Sequence, residues 1–255
     1  MKAIAIVAGL FGTVPVWAHH SFAAEFDRNK VVNITGTIIK MEWVNPHAWI
    51  HVAAKNPDGG EIDSDAYGLA QRHGGFVVAD AAGNDVLGVD FHKTISTLAV
   101  FPDVPVDAPP FLNLPPGTKI PMQAVPTSVA VRPKDPNVYV GQLTGFPFPP
   151  GAANVYGIKP DGTTFVYASG FTNITDIAWG QKGSLYVVEI ASTGLLSGDP
   201  TGAVIRVWPN GKQTVVASAG LVNPTSVAIG KDGSVYVTNY GTSAGKGTVV
   251  NLGKV

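Results

Sequence analysis

One segment of the chain occurs twice. Residues 126–142, PTSVAVRPKDPNVYVGQ, return at 224–239 as PTSVAIGKDGSVYVTN. A further copy lies between them, with an apolar triplet at 177–179 and a tyrosine-valine pair at 186–187, so that successive copies are 48 and 50 residues apart. A period of this length is typical of architectures that stack copies of one supersecondary unit.

Each copy predicts four short antiparallel strands separated by turns. The first two strands flank a turn such as Lys231-Asp232-Gly233. A glycine-rich loop follows, and the third and fourth strands flank a PDG or PNG turn. Four strands in about fifty residues are typical of a β-propeller blade, and a β-solenoid, whose repeat is shorter, is the alternative. The predicted blade repeats are about 67–101, 126–171, 173–221 and 223–255, with a proline-rich insert at 101–121.

About 3.5 to 4 blades are therefore predicted, and the last of them lacks its outer strand. Closed propellers typically have four to eight blades. The N-terminal segment could supply a strand that closes a small or gapped ring. The alternative is an open edge on a truncated or fused gene product.

Composition supports an all-β protein and excludes several functions. Thirty glycines and twenty prolines suit short strands joined by turns. The formal net charge of −1, with only 14% charged residues, argues against nucleic acid as a partner. The chain has no cysteine, which excludes disulfides, thiolate zinc sites and a cysteine nucleophile.

The first eighteen residues predict a secretory signal. A lysine precedes an apolar run that ends in Val16-Trp17-Ala18, a suitable cleavage site. We expect a periplasmic or secreted protein with no membrane insertion after cleavage, and an uncleaved anchor is the alternative. The predicted domains are the signal peptide 1–18, a β-hairpin module 19–62 and the propeller 63–255.

The module after the signal carries clustered histidines. Residues 18–55 contain AHHSFAAEFDRNK and WVNPHAWIHV and resemble an uncharacterised family of small exported bacterial proteins. Cleavage after Ala18 would place His19 at the new N-terminus, beside His20, and His47 and His51 share one face of a strand. These four histidines predict a copper site. The alternative is that they are exposed side chains without a ligand.

A second resemblance covers residues 67–255. The stretches IPMQAVPTSVAV, TNITDIAWGQKGSLYVVEIASTGLLSGDPTGAVIRV and GLVNPTSVAIGKDGSVYVTNYGTSAGKGTVV resemble the ScyD/ScyE-type family, exported propellers associated with scytonemin biosynthesis. The resemblance implies a propeller like those of NHL repeats, and it implies no defined molecular activity.

Polar residues recur where the strands of each copy end. Antiparallel strands reverse direction, so the end of the second strand lies at the same rim as the start of the first. Asp80, Asp176 and Glu189 have the oxygen ligands that Ca²⁺ prefers and predict a calcium site. The alternative is that these side chains cap strand ends and loop amides. The predicted ligand-binding rim comprises Asp80, Gln142, Asp176, Glu189, Asn239, Thr127, Thr175 and Thr225.

The leading functional hypothesis is an exported, non-enzymatic propeller that binds a small ligand or another exported protein, with no cofactor other than calcium indicated. The loop TGFPFPP, residues 144–150, adds two aromatics at the same rim as a second contact candidate. A competing hypothesis is a calcium-dependent, lactonase-like hydrolase that uses the rim acids. A third is a structural repeat without a site.

Overall fold

The computed structural model describes residues 36–44, 47–54 and 65–255, and it describes side chains from Asp65 onward. Contacts divide the chain into two units, residues 1–62 and 63–255. In the first unit, strands β1 (Gly36–Val44) and β2 (His47–Ala54) pair antiparallel, from Gly36 opposite Ala54 to Val44 opposite His47. These strands form the predicted hairpin, whose Asn45-Pro46 turn lies outside the described residues, and the module bounds of 19–62 stay a prediction.

The second unit consists of four successive antiparallel sheets, which we call blades 1 to 4. Three blades have four strands, and blade 4 has three, as predicted. Blade 1 consists of β3 (Ala66–Arg72), β4 (Gly75–Asp80), β5 (Asp85–Asp90) and β6 (Ile95–Val100). Strands β7 (Val104–Asp107) and β8 (Lys119–Met122) lie between blades 1 and 2 in the sequence. Blade 2 consists of β9 (Pro126–Val131), β10 (Val138–Gln142), β11 (Ala153–Ile158) and β12 (Thr164–Phe171).

Blade 3 consists of β13 (Ile174–Trp179), β14 (Leu185–Glu189), β15 (Ala203–Val207) and β16 (Gln213–Ala217). Blade 4 consists of β17 (Val227–Ile229), β18 (Val235–Asn239) and β19 (Thr248–Gly253).

Within every blade the strands follow one another in chain order, and each pairs with the next. The first strands of neighbouring blades contact each other, β3 with β9, β9 with β13, and β13 with β17. The blades are therefore arranged side by side with their first strands innermost. The all-β propeller architecture predicted from the repeat is confirmed.

Helical structure in the described residues is limited to short 3-10 turns at Pro110–Leu112, Gln181–Gly183 and Leu195–Ser197. In this part of the chain no helix has the length and apolar character needed to cross a membrane. The proline-rich insert forms a hairpin of β7 and β8, in which the Lys119 ammonium lies 2.7 Å from the Asp107 carboxylate.

Packing between blades explains why the strands repeat. The second strands of the two central blades bury alternate side chains against opposite neighbours: in β10, Val140 faces blade 1, whereas Tyr139 faces blade 3. A strand that is covered on both faces has a nearly continuous run of apolar residues in its sequence. All five residues of β10 and of β14 are buried, as expected for such strands. Three apolar clusters, one between each pair of successive blades, form the core of the unit.

The repeated tyrosine has a packing role in the interface between blades 2 and 3. The ring centroid of Tyr139 lies 4.8 Å from that of Trp179 and 5.0 Å from that of Tyr167, both edge-to-face. Its hydroxyl donates to the Asp135 carboxylate at 2.8 Å. Burial, followed by this carboxylate, raises the pKa of Tyr139 to about 12. The ring thus contributes apolar area while its hydroxyl keeps a partner.

Threonines near the start of the first strands join one blade to the next. The Thr127 hydroxyl donates to the Ile174 carbonyl at 2.7 Å, and the Thr175 hydroxyl lies 3.5 Å from the Pro224 carbonyl in the equivalent place. Blade 4 has no following blade among the described residues, and its Thr225 shares a hydrogen bond with the Thr238 hydroxyl instead, at 2.9 Å.

We predict that Thr127→Val lowers the free energy of unfolding by about 1 kcal/mol, because a hydrogen bond to the buried Ile174 carbonyl is lost without a change of shape. Urea unfolding followed by circular dichroism measures the effect. Thr225→Val is the matched control and should cost less, since its hydroxyl bonds another side chain within its own blade. Equal losses in the two variants would contradict the assigned role of Thr127 between blades.

Candidate functional site

Four of the predicted rim residues occupy equivalent places in the four blades. Asp80, Gln142, Glu189 and Asn239 are the last residues of the second strands β4, β10, β14 and β18. Each is 3–5% exposed, and thus buried although polar. Buried polar groups in folded proteins are nearly always hydrogen-bonded, so their partners determine what they do.

Three of these side chains bind the chain segment that leads into their own blade. An Asp80 carboxylate oxygen accepts from the Asp65 amide at 2.6 Å, and that of Glu189 accepts from the Thr172 amide at 2.7 Å. The Asn239 side-chain oxygen accepts from the Val222 amide at 2.6 Å. The sequence places these residues correctly at strand ends, and the structure gives them the capping role that was the alternative to ligand binding.

Gln142 departs from this pattern. Its side-chain oxygen accepts from the backbone amide of Asn154 at 3.1 Å, in the neighbouring strand β11 of the same blade. The Asn154 side chain in turn donates to the Tyr156 hydroxyl at 3.1 Å. Gln142 therefore closes a small polar network within blade 2.

Asp176 joins blade 3 to blade 4. One carboxylate oxygen accepts from the Ser226 hydroxyl at 2.5 Å and from the Val227 amide at 2.9 Å, and the other accepts from the Ile177 amide at 2.8 Å. Burial raises the pKa of Asp176, although these hydrogen bonds favour its ionised form. The carboxylate is a structural acceptor across the interface.

The three acids predicted to bind calcium do not form one cluster. Among residues 65–255, no group of three or more His, Asp or Glu side chains lies close enough together to hold a metal ion. Asp80, Asp176 and Glu189 instead accept hydrogen bonds from backbone amides in different places. Thr127, Thr175 and Thr225 are likewise engaged by the contacts described above, so the ligand-binding role of the rim stays a prediction.

The predicted copper site involves four histidines. His19 and His20 lie outside the described residues, and His47 and His51 are both positions of strand β2. The copper site therefore also stays a prediction.

A carboxylate pair that sequence reasoning missed lies in blade 1. Asp85 is directly opposite Asp80 in the β4–β5 ladder. Burial, followed by the charge of Asp80, raises the pKa of Asp85 to about 6. One Asp85 carboxylate oxygen is buried with no hydrogen-bond partner. Burial and the adjacent Asp80 carboxylate thus both favour the protonated form of Asp85, because each disfavours a negative charge there.

Large apolar side chains are exposed on three loops, and the β10–β11 loop is linked to the other two. The Phe111 and Phe146 ring centroids are 6.2 Å apart, edge-to-face, which joins the tip of the insert to the β10–β11 loop. The buried Asn173 side chain donates to the Leu143 carbonyl at 2.9 Å and accepts from the Leu195 amide at 3.1 Å, which joins this loop to the β14–β15 loop. We call this set the apolar loop surface: Phe111, Leu112, Leu114, Phe146, Leu195 and Leu196, each at least 37% exposed.

The sequence indicated only part of this surface. Of the two aromatics in TGFPFPP, Phe146 is exposed, whereas Phe148 is half-buried against its own loop. Phe111, Leu112, Leu114, Leu195 and Leu196 are apolar residues in loop segments of the sequence, a pattern that indicates exposed apolar side chains. The links between their loops and the loop of Phe146 depend on the Phe111–Phe146 ring pair and on Asn173, which no motif marks.

Comparisons with known proteins support the fold and leave the function open. A model described as "Family of unknown function (DUF6152)" matches residues 8–74, about a quarter of the chain, which includes both N-terminal histidine motifs. No curated protein matches the sequence. Of the solved structures, a chain of a nidogen/laminin complex matches 74% of this chain at 13% identity with a TM-score of 0.52.

Two solved gluconolactonases are also similar. A putative gluconolactonase matches 75% of the chain at 13% identity with a TM-score of 0.50. The gluconolactonase of Xanthomonas campestris matches 73% at 18% identity with a TM-score of 0.51. The chain covers 61%, 63% and 58% of the lengths of these three structures. At such identities the likeness shows a shared propeller-type fold.

Glu189 predicts a pH-dependent stability. Burial raises its pKa from 4.5 to about 7, so the folded state binds the proton more tightly than the unfolded state. The free energy of unfolding therefore falls as pH rises through this interval. Glu189→Gln keeps an oxygen for the Thr172 amide and removes the titration. It should stabilise the protein above pH 7, by at most about 3 kcal/mol, with little effect near pH 4.

Urea midpoints measured across this pH range test the prediction. Gln142→Glu is the matched variant, because it places an acid at the equivalent buried strand end of blade 2 and should introduce a similar fall in stability with pH. An unchanged pH slope in Glu189→Gln would contradict the assignment.

Asp176→Ala should lower the free energy of unfolding by about 2–3 kcal/mol, because the Val227 amide and the Ser226 hydroxyl lose their acceptor. Asp176→Asn retains one side-chain oxygen and should cost less. Thermal unfolding of both variants measures this difference. A neutral Asp176→Ala variant would show that the carboxylate does not hold blades 3 and 4 together.

Proposed function

We propose that this protein is an exported, non-enzymatic propeller that binds a partner protein through the apolar loop surface. The observation that carries the proposal is the joining of exposed apolar residues on three separate loops, from Phe111 through Phe146 to Leu196. Large exposed apolar patches are uncommon on soluble proteins and mark interaction sites. Loops held on a rigid scaffold are also where binding residues concentrate.

The loops of the apolar loop surface are held in place by contacts with one another. Besides the Asn173 hydrogen bonds, Gly194 lies so close to the next loop that a Cβ atom there would be 3.2 Å from the Pro150 side chain. The backbone φ of Gly194 is +96°, a conformation that other residues rarely adopt. A pre-ordered surface loses less conformational entropy when a partner binds.

The polar rim supports this choice of surface. Asp80, Asp176, Glu189 and Asn239 each accept a hydrogen bond from a backbone amide, so each already has a role in holding the fold together. The calcium-dependent hydrolase, by contrast, needs several oxygen ligands directed at one point. The gluconolactonase likeness concerns the fold, so it does not extend that activity to this chain.

Export and family membership are parts of the same proposal. The apolar run before Ala18 supports a cleaved signal, and N-terminal sequencing of the mature protein should then begin at His19. The long stretches shared with the ScyD/ScyE-type family support membership in it. Such membership adds no defined activity, and a structural role without any partner is the alternative.

Site-specific photo-crosslinking tests the proposed surface. A photoreactive residue at Phe111, Phe146 or Leu196 should give the same crosslinked protein in expressing cells, because the three positions belong to one surface. Val215 is the control, since it is 61% exposed on the outermost strand of blade 3.

The crosslinked partner, once purified, should bind the wild-type chain in calorimetry. Phe146→Ser or Leu196→Ser should weaken binding by tenfold or more, about 1.4 kcal/mol, whereas Val215→Ser should leave it unchanged. Different adducts at the three positions, or equal binding by all variants, would overturn the proposal. Lactone hydrolysis that EDTA abolishes would favour the enzyme instead.

A further inference from the structure

The repeat gives every blade two distinct faces. The face that contacts the preceding blade, which we call the trailing face, carries Val129, Val140 and Tyr156 in blade 2. The opposite, leading face contacts the following blade and carries Tyr139 and Val155 in blade 2. Each internal interface joins one leading face to one trailing face.

The trailing face of blade 1 has the same pattern but is open in the described part of the chain. Val78 lies opposite Leu69 and Leu87, just as Val140 lies opposite Val129 and Tyr156 in blade 2. Leu69 is nevertheless 68% exposed, whereas its counterpart Val129 is 7% exposed. Other large apolar side chains of blade 1 are also well exposed: Tyr67, Phe91, Ile95 and Val100.

The leading face of blade 4 is the complementary open face. Tyr236 lies opposite Ala228, and Thr238 lies opposite Val249. The same places in blade 3 hold the pair Tyr186 and Ala178 and the pair Val188 and Val204, which pack against blade 4. Val249 is 68% exposed and Tyr236 37% exposed, whereas Val204 and Tyr186 are buried.

We propose that the open trailing face of blade 1 binds the leading face of blade 4 of a second copy of this chain. The strand pairing identifies the second copy as the partner. Each of the three internal interfaces joins a leading face to a trailing face, and the described residues leave one face of each kind open. The contact continues an interface that already exists three times within the chain.

The number of blades fits a closed assembly. A head-to-tail contact uses different surfaces on the two copies, and it forms either a ring or an open chain. The described residues of two copies form eight blades, which is within the range of four to eight that closed propellers typically have. In such a ring each copy uses both of the faces that are open among residues 65–255, and both become covered.

Light scattering on the mature, full chain tests the proposal. The wild-type protein should have twice the mass of one chain, and Leu69→Asp or Val249→Asp should each reduce it to that of one chain, because each places a charge in one half of the contact. The matched control is Val166→Asp, which is 54% exposed on the outer strand β12 of blade 2 and should leave the dimer intact.

Complementation shows which faces meet. Mixing the Leu69→Asp chain with the Val249→Asp chain should restore dimers, since one contact of the mixed pair retains both native residues. A monomeric wild type, or a dimer that persists in both aspartate variants, would overturn the proposal.

A covalent test is independent of how well the charged variants fold. The chain has no cysteine, so a Leu69→Cys chain and a Val249→Cys chain offer one thiol each. Mild oxidation of their mixture should give a disulfide-linked dimer more rapidly than either chain gives alone. Equal crosslinking of the mixture and of the separate chains would also contradict the head-to-tail contact.

Discussion

The structure depends on the packing of one four-stranded sheet against the next. A single blade is too thin to bury the apolar residues on both of its faces, and only its neighbours can cover them. This is why β10 and β14, the second strands of the two central blades, are buried along their whole length. Apolar burial of this kind contributes roughly 25 cal/mol for each Å² removed from water, so its contribution grows with the area that neighbouring blades cover.

Polar residues at the rim provide hydrogen-bond acceptors for backbone amides that this packing removes from water. The chain enters each blade through a turn whose backbone amides are removed from water and need acceptors. Asp80, Glu189 and Asn239 supply those acceptors for Asp65, Thr172 and Val222. An acid is not required in this role, because the amide of Asn239 performs it as well as the carboxylate of Glu189. Capping of the entering segment thus accounts for the acids at Asp80 and Glu189 and for the amide at Asn239, whereas Gln142 bonds a strand of its own blade.

The blades were predictable from the sequence because their alternation and turns repeat in register. The positions of Asp80, Gln142, Glu189 and Asn239 at strand ends were predictable for the same reason. Their partners were not, because the Asp65 and Thr172 amides reach them only through the path of the entering loop. The apolar loop surface was also beyond prediction, since Phe111 and Phe146 are distant in sequence and meet only when the insert hairpin folds against blade 2.

Hydrogen exchange in a Val187→Ala variant tests the central claim, that neighbouring blades stabilise each other, most directly. Val187 is a fully buried side chain of blade 3 in the cluster shared with blade 2. We expect amides of β10 in blade 2 to lose protection together with those of β14, because the cavity weakens both sheets at once. Loss of protection confined to β14, with β10 unchanged, would show that the blades are stable individually and would contradict it.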